Sequence, residues 1–233
     1  MKLIEFKNVT KEYALDGTKL AAVDHINFEI SEGEFVVILG PSGAGKSTLL
    51  NLLGGMDYAT SGEITIDGKN ITNYKDDELT DYRATSVGFV FQFYNLIPTL
   101  TALENVTLTK EVTRNSMDPF QVLESVGLQE HLNQFPSQLS GGEQQRVSIA
   151  RAICKNPAML LCDEPTGALD SETGTAILSL LQRLSRENKK TVIIVTHNAA
   201  LAEAADKVIH IKNGKITNIT INDHPIDVSE VNW

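Results

Sequence analysis

The chain is poor in cysteine. Only Cys154 and Cys162 occur in 233 residues, and their spacing is not C-x-x-C. That excludes a disulfide framework and a cysteine zinc site. Cys154 falls with Val147 and Ala150 on one face of a predicted helix, and Cys162 ends an apolar run, so both read as small core residues. Positive charge is also scarce. Twenty Lys and Arg against thirty Asp and Glu give a net charge of −10, a poor match for nucleic acid, which favours basic patches. No stretch approaches the roughly 18 apolar residues that a membrane-spanning helix needs. Met1 to Lys7 mixes charges into its apolar residues and lacks a signal-peptide core. These absences predict a cytosolic protein whose membrane contacts, if any, run through a partner. Hydrophobic residues at 42% suffice for a core and argue against disorder. The length suits one good-sized domain, or a domain with an inserted subdomain. There is no internal repeat and no low-complexity segment.

Against this background one string stands out. Gly40 to Thr48 read Gly-Pro-Ser-Gly-Ala-Gly-Lys-Ser-Thr, a complete G-x-x-x-x-G-K-[ST] phosphate loop. Glycines let the backbone fold tightly and aim N–H groups at phosphate oxygens. Lys46 can reach the terminal phosphates, and the Ser47 hydroxyl can ligate Mg²⁺. The loop follows the apolar run Phe35–Leu39 and precedes Leu49, Leu50, Leu52 and Leu53, which suit a helix. Strand, glycine loop, helix is the context the motif requires.

The rest of the chain supplies the frame. Lys2–Val9 and Ala22–Ile30 are predicted extended segments with a turn at Gly17, and Glu63 to Ile71 predicts a hairpin turning at Asp67-Gly68. These pieces predict a small antiparallel sheet beside the phosphate loop. Four further runs share a pattern: Phe35–Leu39 into the loop, Val87–Phe91 into Gln92, Met159–Cys162 into Asp163-Glu164, and Val192–Val195 into Thr196-His197. Continuous apolar runs fit strands buried on both faces, as in parallel sheets. Ligands of open α/β sheets sit at the carboxyl ends of the strands, so Lys46, Gln92, Asp163, Glu164 and His197 should gather at one edge. Short helices are expected near Glu104 and over Asp118–Val126, in a helical subdomain inserted at about residues 93–140. Thr173–Leu184 is an amphipathic helix, and Val208–Lys212 and Lys215–Ile221 flank an Asn213-Gly214 hairpin turn. Residues 222–233 are polar and carry no readable function.

A second anion-binding element opens the helix that runs from Ser140 to about Lys155. Ser140 and Glu143 have capping-box spacing. An S-x-x-E string alone is an ordinary helix start. Gly141 and Gly142 in the first turn change that reading, since glycine weakens a helix by about 1 kcal/mol relative to alanine. The pair implies close approach by some group, at the positive end of the helix dipole where anions bind.

In this order, the phosphate loop, Gln92, Leu139–Gln145, the block Asp163–Asp170 and His197 resemble the ATP-binding subunit of an ABC transporter. The resemblance spans about Lys2 to Lys215. Gly33–Phe35, Gly88–Gln92, Leu96–Val106 and Pro165–Asp170 are similar to one bacterial group: the macrolide exporter MacB, the lipoprotein-release ATPase, the antimicrobial-peptide-resistance ATPases and the cell-division ATPase FtsE.

The resemblance implies an α/β P-loop NTPase core with a mainly parallel sheet, an N-terminal antiparallel β subdomain and the inserted helical subdomain. It implies ATP and Mg²⁺ as cofactors. Nucleotide contacts fall to Tyr13, which would stack on adenine, to Gly40, Ser42, Gly43, Ala44, Gly45, Lys46, Ser47 and Thr48, and to Gln92. Ser140, Gly141, Gly142 and Glu143 would close over the nucleotide of a second copy in a head-to-tail dimer. Metal contacts fall to Ser47, Gln92 and Asp163, and catalysis to Glu164 and His197. Asp170 would communicate across the dimer. Taken alone, His197 after a strand is more often structural, an isolated Tyr13 is more often packing, and Gln92 is uninformative; the family pattern is what assigns them. Leu96 and Ile97 would contact a FtsX- or MacB-like permease on a separate chain. The implied location is peripheral, on the cytoplasmic face of a bacterial plasma membrane. Departures from the family pattern are small: Ala44 where Ser or Cys is common, Cys162 where Ala is usual, and Tyr94 where Phe is frequent.

Two functions compete. One is export or release of an amphipathic substrate through the permease. The other is a regulatory or mechanical ATPase like FtsE, acting through an FtsX-like partner without transport. A soluble ABC protein of DNA repair or translation would carry two cassettes, coiled coils or basic arms, which this acidic chain lacks.

Overall fold

The computed structural model describes residues 1–15, 18–113 and 115–231. The turn expected at Gly17 lies outside the described residues. In chain order the elements are β1 (Lys2–Leu15), β2 (Thr18–Ser31), β3 (Phe35–Leu39), α1 (Lys46–Leu53), β4 (Ser61–Ile66), β5 (Lys69–Asn70), α2 (Asp76–Thr85) and β6 (Val87–Phe91). Then follow α3 (Ala102–Thr107), α4 (Pro119–Ser125), α5 (Gly141–Cys154), β7 (Met159–Asp163), α6 (Ser171–Asn188), β8 (Thr191–Thr196), β9 (Lys207–Lys212) and β10 (Lys215–Ile221).

The continuous apolar runs form the centre of a six-stranded sheet ordered β10-β9-β3-β8-β7-β6. All neighbours in it are parallel except β10, which returns antiparallel on β9. Why the runs do not alternate is now visible. Phe35, Val37 and Leu39 face one hydrophobic core, together with Leu160, Cys162, Val192 and Ile194. Val36 and Ile38 face the other, together with Met159, Leu161, Ile193 and Val195. Period two is still present, but both faces are buried, so every position is apolar. The first core is filled by α3 to α6. The second is filled by α1, α2 and the antiparallel sheet β2-β1-β4-β5.

The Asp67-Gly68 turn joins β4 to β5 with positive φ at both residues (48° and 71°), the geometry of a tight hairpin. The first two strands run past the expected limits, to Leu15 and back to Thr18, because register shifts after Phe6 and Val9 let the pairing continue. The sequence reading did not anticipate α2. Half of its ten residues are charged and only Leu79 and Tyr82 are buried, so the apolar stripe is too thin to read. Residues 222–231, polar in sequence, pack back onto the domain. Val228 and Val231 are buried against the first core, and the Gln182 amide of α6 holds the segment, donating to Ile226 O and accepting from Val228 N. Among the described residues, no helix is long and apolar enough to cross a membrane.

Candidate functional site

Parallel register brings the site together. Leu39 pairs with Thr196, Asp163 with Val195, and Phe91 with Asp163. The chain therefore leaves this edge at Gly40, His197, Glu164 and Gln92, and a cleft of about 900 Å³ opens there. Ser42, Gly43, Gly45, Lys46, Ser47 and Thr48 line one side of it. Gln92, Asp163, Glu164 and His197 line the other.

Gly45 is the N-cap of α1 with φ +102°, and a Cβ there would lie 2.2 Å from the Ala22 carbonyl, so only glycine fits. Ala44 turns its methyl into the second core and its N–H to Pro41 O at 3.2 Å. Gly40 and Ala44 shape the loop without lining the cleft. Lys46 Nζ donates to Gly40 O (2.8 Å) and Pro41 O (3.1 Å). The ammonium thus spans the mouth of its own loop, hydrogen-bonded to carbonyls, with no carboxylate in direct ion-pair contact among the described residues.

Ser47 Oγ donates to Asp163 Oδ1 at 3.4 Å. Burial raises the Asp163 pKa above its ordinary 3.8, and the neighbouring Glu164 charge adds to the rise. A hydroxyl beside a half-buried carboxylate whose ionised form is poorly solvated is a fit for Mg²⁺. This metal keeps one or two carboxylates and takes its other ligands from water and phosphate. No cluster of three or more His, Cys, Asp or Glu exists among the described residues, so an all-protein metal cage is not built here.

Glu164 sits in the left-handed region at φ +45°, unusual for a side-chain-bearing residue. Its N–H donates to Val195 O at 3.0 Å. One carboxylate oxygen accepts from Thr196 Oγ1 at 3.0 Å, and the other lies 2.9 Å from His197 Nδ1. The acid is therefore aimed by two side chains of the neighbouring strand end. Gln92 lies against Gly167, where a Cβ would come within 2.9 Å of its Nε2.

Tyr13 is placed beside the cleft and does not line it. Its hydroxyl donates to Asp57 Oδ2 at 2.7 Å and lies in hydrogen-bonding reach of Thr48. Burial, then Asp57, pushes its pKa up. The Lys11 ammonium stands 4.9 Å from its ring centroid. Sequence reasoning gave no role to Thr196, Gly167, Ala22 or to Asp57 behind Tyr13; Thr196, beside His197, and Gly167, inside the Pro165–Asp170 block, carried a signal, and Ala22 and Asp57 did not.

Ser140 to Glu143 form the expected capping box. Ser140 N donates to Glu143 Oε2 at 2.7 Å, and Glu143 N donates to Ser140 Oγ at 3.3 Å. The Ser140 N–H bond pulls the Glu143 acid down. None of these four residues lines the cleft. Part of the demand for glycine is met inside the chain: a Cβ on Gly142 would lie 2.4 Å from the Thr173 methyl, and one on Gly141 would lie 2.8 Å from the Tyr94 hydroxyl.

A phosphate loop, a half-buried Asp-Glu pair and a histidine at the carboxyl edge of a parallel sheet define a nucleotide-hydrolysing α/β protein. The ABC transporter family model matches residues 23–167, and the chain belongs to that family as an ATP-binding subunit with ATPase activity. An uncharacterised ABC transporter ATP-binding protein of Methanocaldococcus jannaschii, MJ0796, is 46% identical over 226 residues, covering 92% of this chain and 95% of its own. YvrO of Bacillus subtilis is 42% identical over 220 residues, covering 92% of this chain and 95% of its own. The solved dimer of MJ0796 in a post-hydrolysis state with ADP and Pi superposes with a TM-score of 0.85 at 44% identity, over 94% of this chain and 98% of that one. The cbiO1 structure from Clostridium perfringens gives 0.85 at 28% identity, over 94% and 88%.

Proposed function

We propose that the chain is a single nucleotide-binding domain that powers a MacB-like membrane exporter of an amphipathic drug, peptide or lipoprotein-type substrate. Residues 93–140 form its inserted helical subdomain. The observation that carries the reading is a separation. The hydrolytic residues share one cleft, while the capped helix start at Ser140 lies outside it. A second copy, placed head to tail, brings its Ser140, Gly141, Gly142 and Glu143 over the nucleotide. The dimeric state of the MJ0796 structure supports this arrangement.

In that dimer the loop amides from Ser42 to Thr48 and Lys46 hold the ATP phosphates, and Tyr13 lies against the base. Ser47, Asp163 and Gln92 would hold Mg²⁺, which would supply charge neutralisation at the phosphates. Glu164 orients and polarises the attacking water, and Thr196 and His197 keep its carboxylate in place. Water adds to the γ-phosphorus as the bond to ADP breaks, a reaction dominated by positioning and electrostatics. Phe93 is 73% exposed and Ile97 is 41% exposed, both close in sequence to Gln92, and they form the contact for an FtsX- or MacB-like permease at the cytoplasmic membrane face. Leu96 packs instead against the core.

The test compares wild type, Lys46→Ala and Glu164→Gln for Mg-ATP binding and hydrolysis. Lys46→Ala should lose tight binding, and Glu164→Gln should bind but not turn over. Normal ATP affinity in Lys46→Ala would overturn the phosphate-loop assignment. Co-purification with a candidate permease, and its loss on Phe93→Ser, tests the membrane partner.

A further inference from the structure

Gln145 lies in the second turn of α5 and is fully buried. Its Nε2 donates to Pro165 O at 2.7 Å and to Phe91 O at 3.3 Å. Two carbonyl partners settle which end of the amide is nitrogen. Its Oε1 accepts no hydrogen bond among the described residues. A buried acceptor left idle is unfavourable for the fold, so what this side chain contributes is the pair of donated bonds.

Both acceptors have telling neighbours. Phe91 immediately precedes Gln92, and Pro165 immediately follows Glu164. Phe91 and Asp163 are register partners on the adjacent strands β6 and β7. One amide therefore ties together the backbone leaving both strands at the cleft. Further along α5, Arg151 acts on the far side of Gln92. Its Nη1 donates to Asn95 O at 2.7 Å and its Nη2 to Tyr94 O at 3.1 Å. The same helix thus grips the segment from residue 91 to 95 at both ends, and it begins at the Ser140–Glu143 cap.

We infer that Gln145 is a positioning residue for hydrolysis: through the Pro165 and Phe91 carbonyls it fixes Glu164 and Gln92 at the cleft, with Arg151 as a second clamp. The inference rests on the reading of Glu164 as the residue that orients water. Glu164 holds a left-handed backbone that needs support from its surroundings. On its amide side the support is Val195 O; on its carbonyl side Glu164 O accepts from Gly167 N–H at 3.0 Å, and Gln145 anchors the next carbonyl, of Pro165. Lys46 and the phosphate loop belong to another strand and do not touch the Gln145 amide. Removing the amide should therefore loosen the attacking geometry and leave ATP binding unchanged.

The experiment uses the full chain with Gln145→Met, which keeps the length and removes the donor, and Gln145→Asn, which keeps an amide too short to span both carbonyls. The readouts are kcat, KM and Kd for Mg-ATP below the onset of thermal unfolding, with Glu164→Gln alongside. The expected result is a kcat lower by about ten- to hundredfold, the scale of a small misplacement at a reacting centre. KM and Kd should stay within about twofold of wild type, because the loop is untouched. If Gln145→Met does not fold, Gln145→Asn decides. Wild-type kcat in a folded variant, or a kcat loss matched by an equal loss of affinity, overturns the inference. Wild-type turnover in Glu164→Gln would overturn the site reading and the inference with it, whereas an inactive Glu164→Gln beside an active Gln145→Met overturns the inference alone.

Discussion

His197 Nδ1 lies 2.9 Å from Oε1 of Glu164, and Thr196 Oγ1 donates to the other carboxylate oxygen at 3.0 Å. The contact joins the residues that follow β7 and β8, and it leaves the imidazole side chain 73% exposed to the cleft. With its proton on Nδ1 the ring donates to the carboxylate and presents Nε2 outward. The acid is thereby oriented before nucleotide arrives.

Replacing His197 with Ala should lower ATP turnover by about 100-fold, within the range of a positioned acid-base partner. Because the ring is exposed, stability should change by no more than about 0.5 kcal/mol. Steady-state hydrolysis and a thermal melt on the same sample check both. Turnover within threefold of wild type would show that Thr196 alone suffices to aim Glu164.

Asp163 carries a stability consequence. Its folded pKa is raised by burial and then by Glu164, with the Ser47 hydroxyl and Lys46 opposing. Between the ordinary 3.8 and the raised folded value, the folded chain keeps a proton that the unfolded chain has lost. Stability therefore falls as pH rises through that window. Asp163→Asn removes this dependence, so the nucleotide-free variant should melt at higher temperature than wild type. The gap should widen as pH rises from about 4 through the raised folded pKa of Asp163 and stay constant above it, while Mg-ATP hydrolysis is lost. Paired melts across pH give the sign directly.

Gly142 and Thr173 form a third test. Gly142→Ala alone puts a methyl 2.4 Å from the Thr173 methyl and should cost about 1–3 kcal/mol, the usual range for overpacking. Thr173→Ser removes the clashing carbon. In that background Gly142→Ala should become neutral or stabilising, because alanine favours a helix by about 1 kcal/mol over glycine. Chemical denaturation of the four proteins resolves the reversal.

Much of this site was legible in the sequence because its elements are local. The phosphate loop is one string, and the strands ending at Gln92, Asp163 and His197 are continuous apolar runs that only a sheet covered on both faces explains. Other parts were not legible for equally physical reasons. Only Leu79 and Tyr82 of α2 are buried, so it shows no readable apolar stripe. Pairing beyond Val9 depends on irregular register, which composition does not encode. The double glycine announced close approach, but not that Thr173 and Tyr94 were among the approaching groups. Gln145 closes the Leu139–Gln145 string, but nothing in that string marked it as a clamp, since its two carbonyl partners lie 54 and 20 residues away.

In the proposed dimer the element at Ser140 completes the nucleotide site of another copy. Size-exclusion chromatography with light scattering on Glu164→Gln, with and without Mg-ATP, tests it most directly. A monomer is expected without nucleotide, a dimer with Mg-ATP, and a monomer again when Ser140→Arg is added. A species that stays monomeric while its nucleotide is shown to be bound would contradict it.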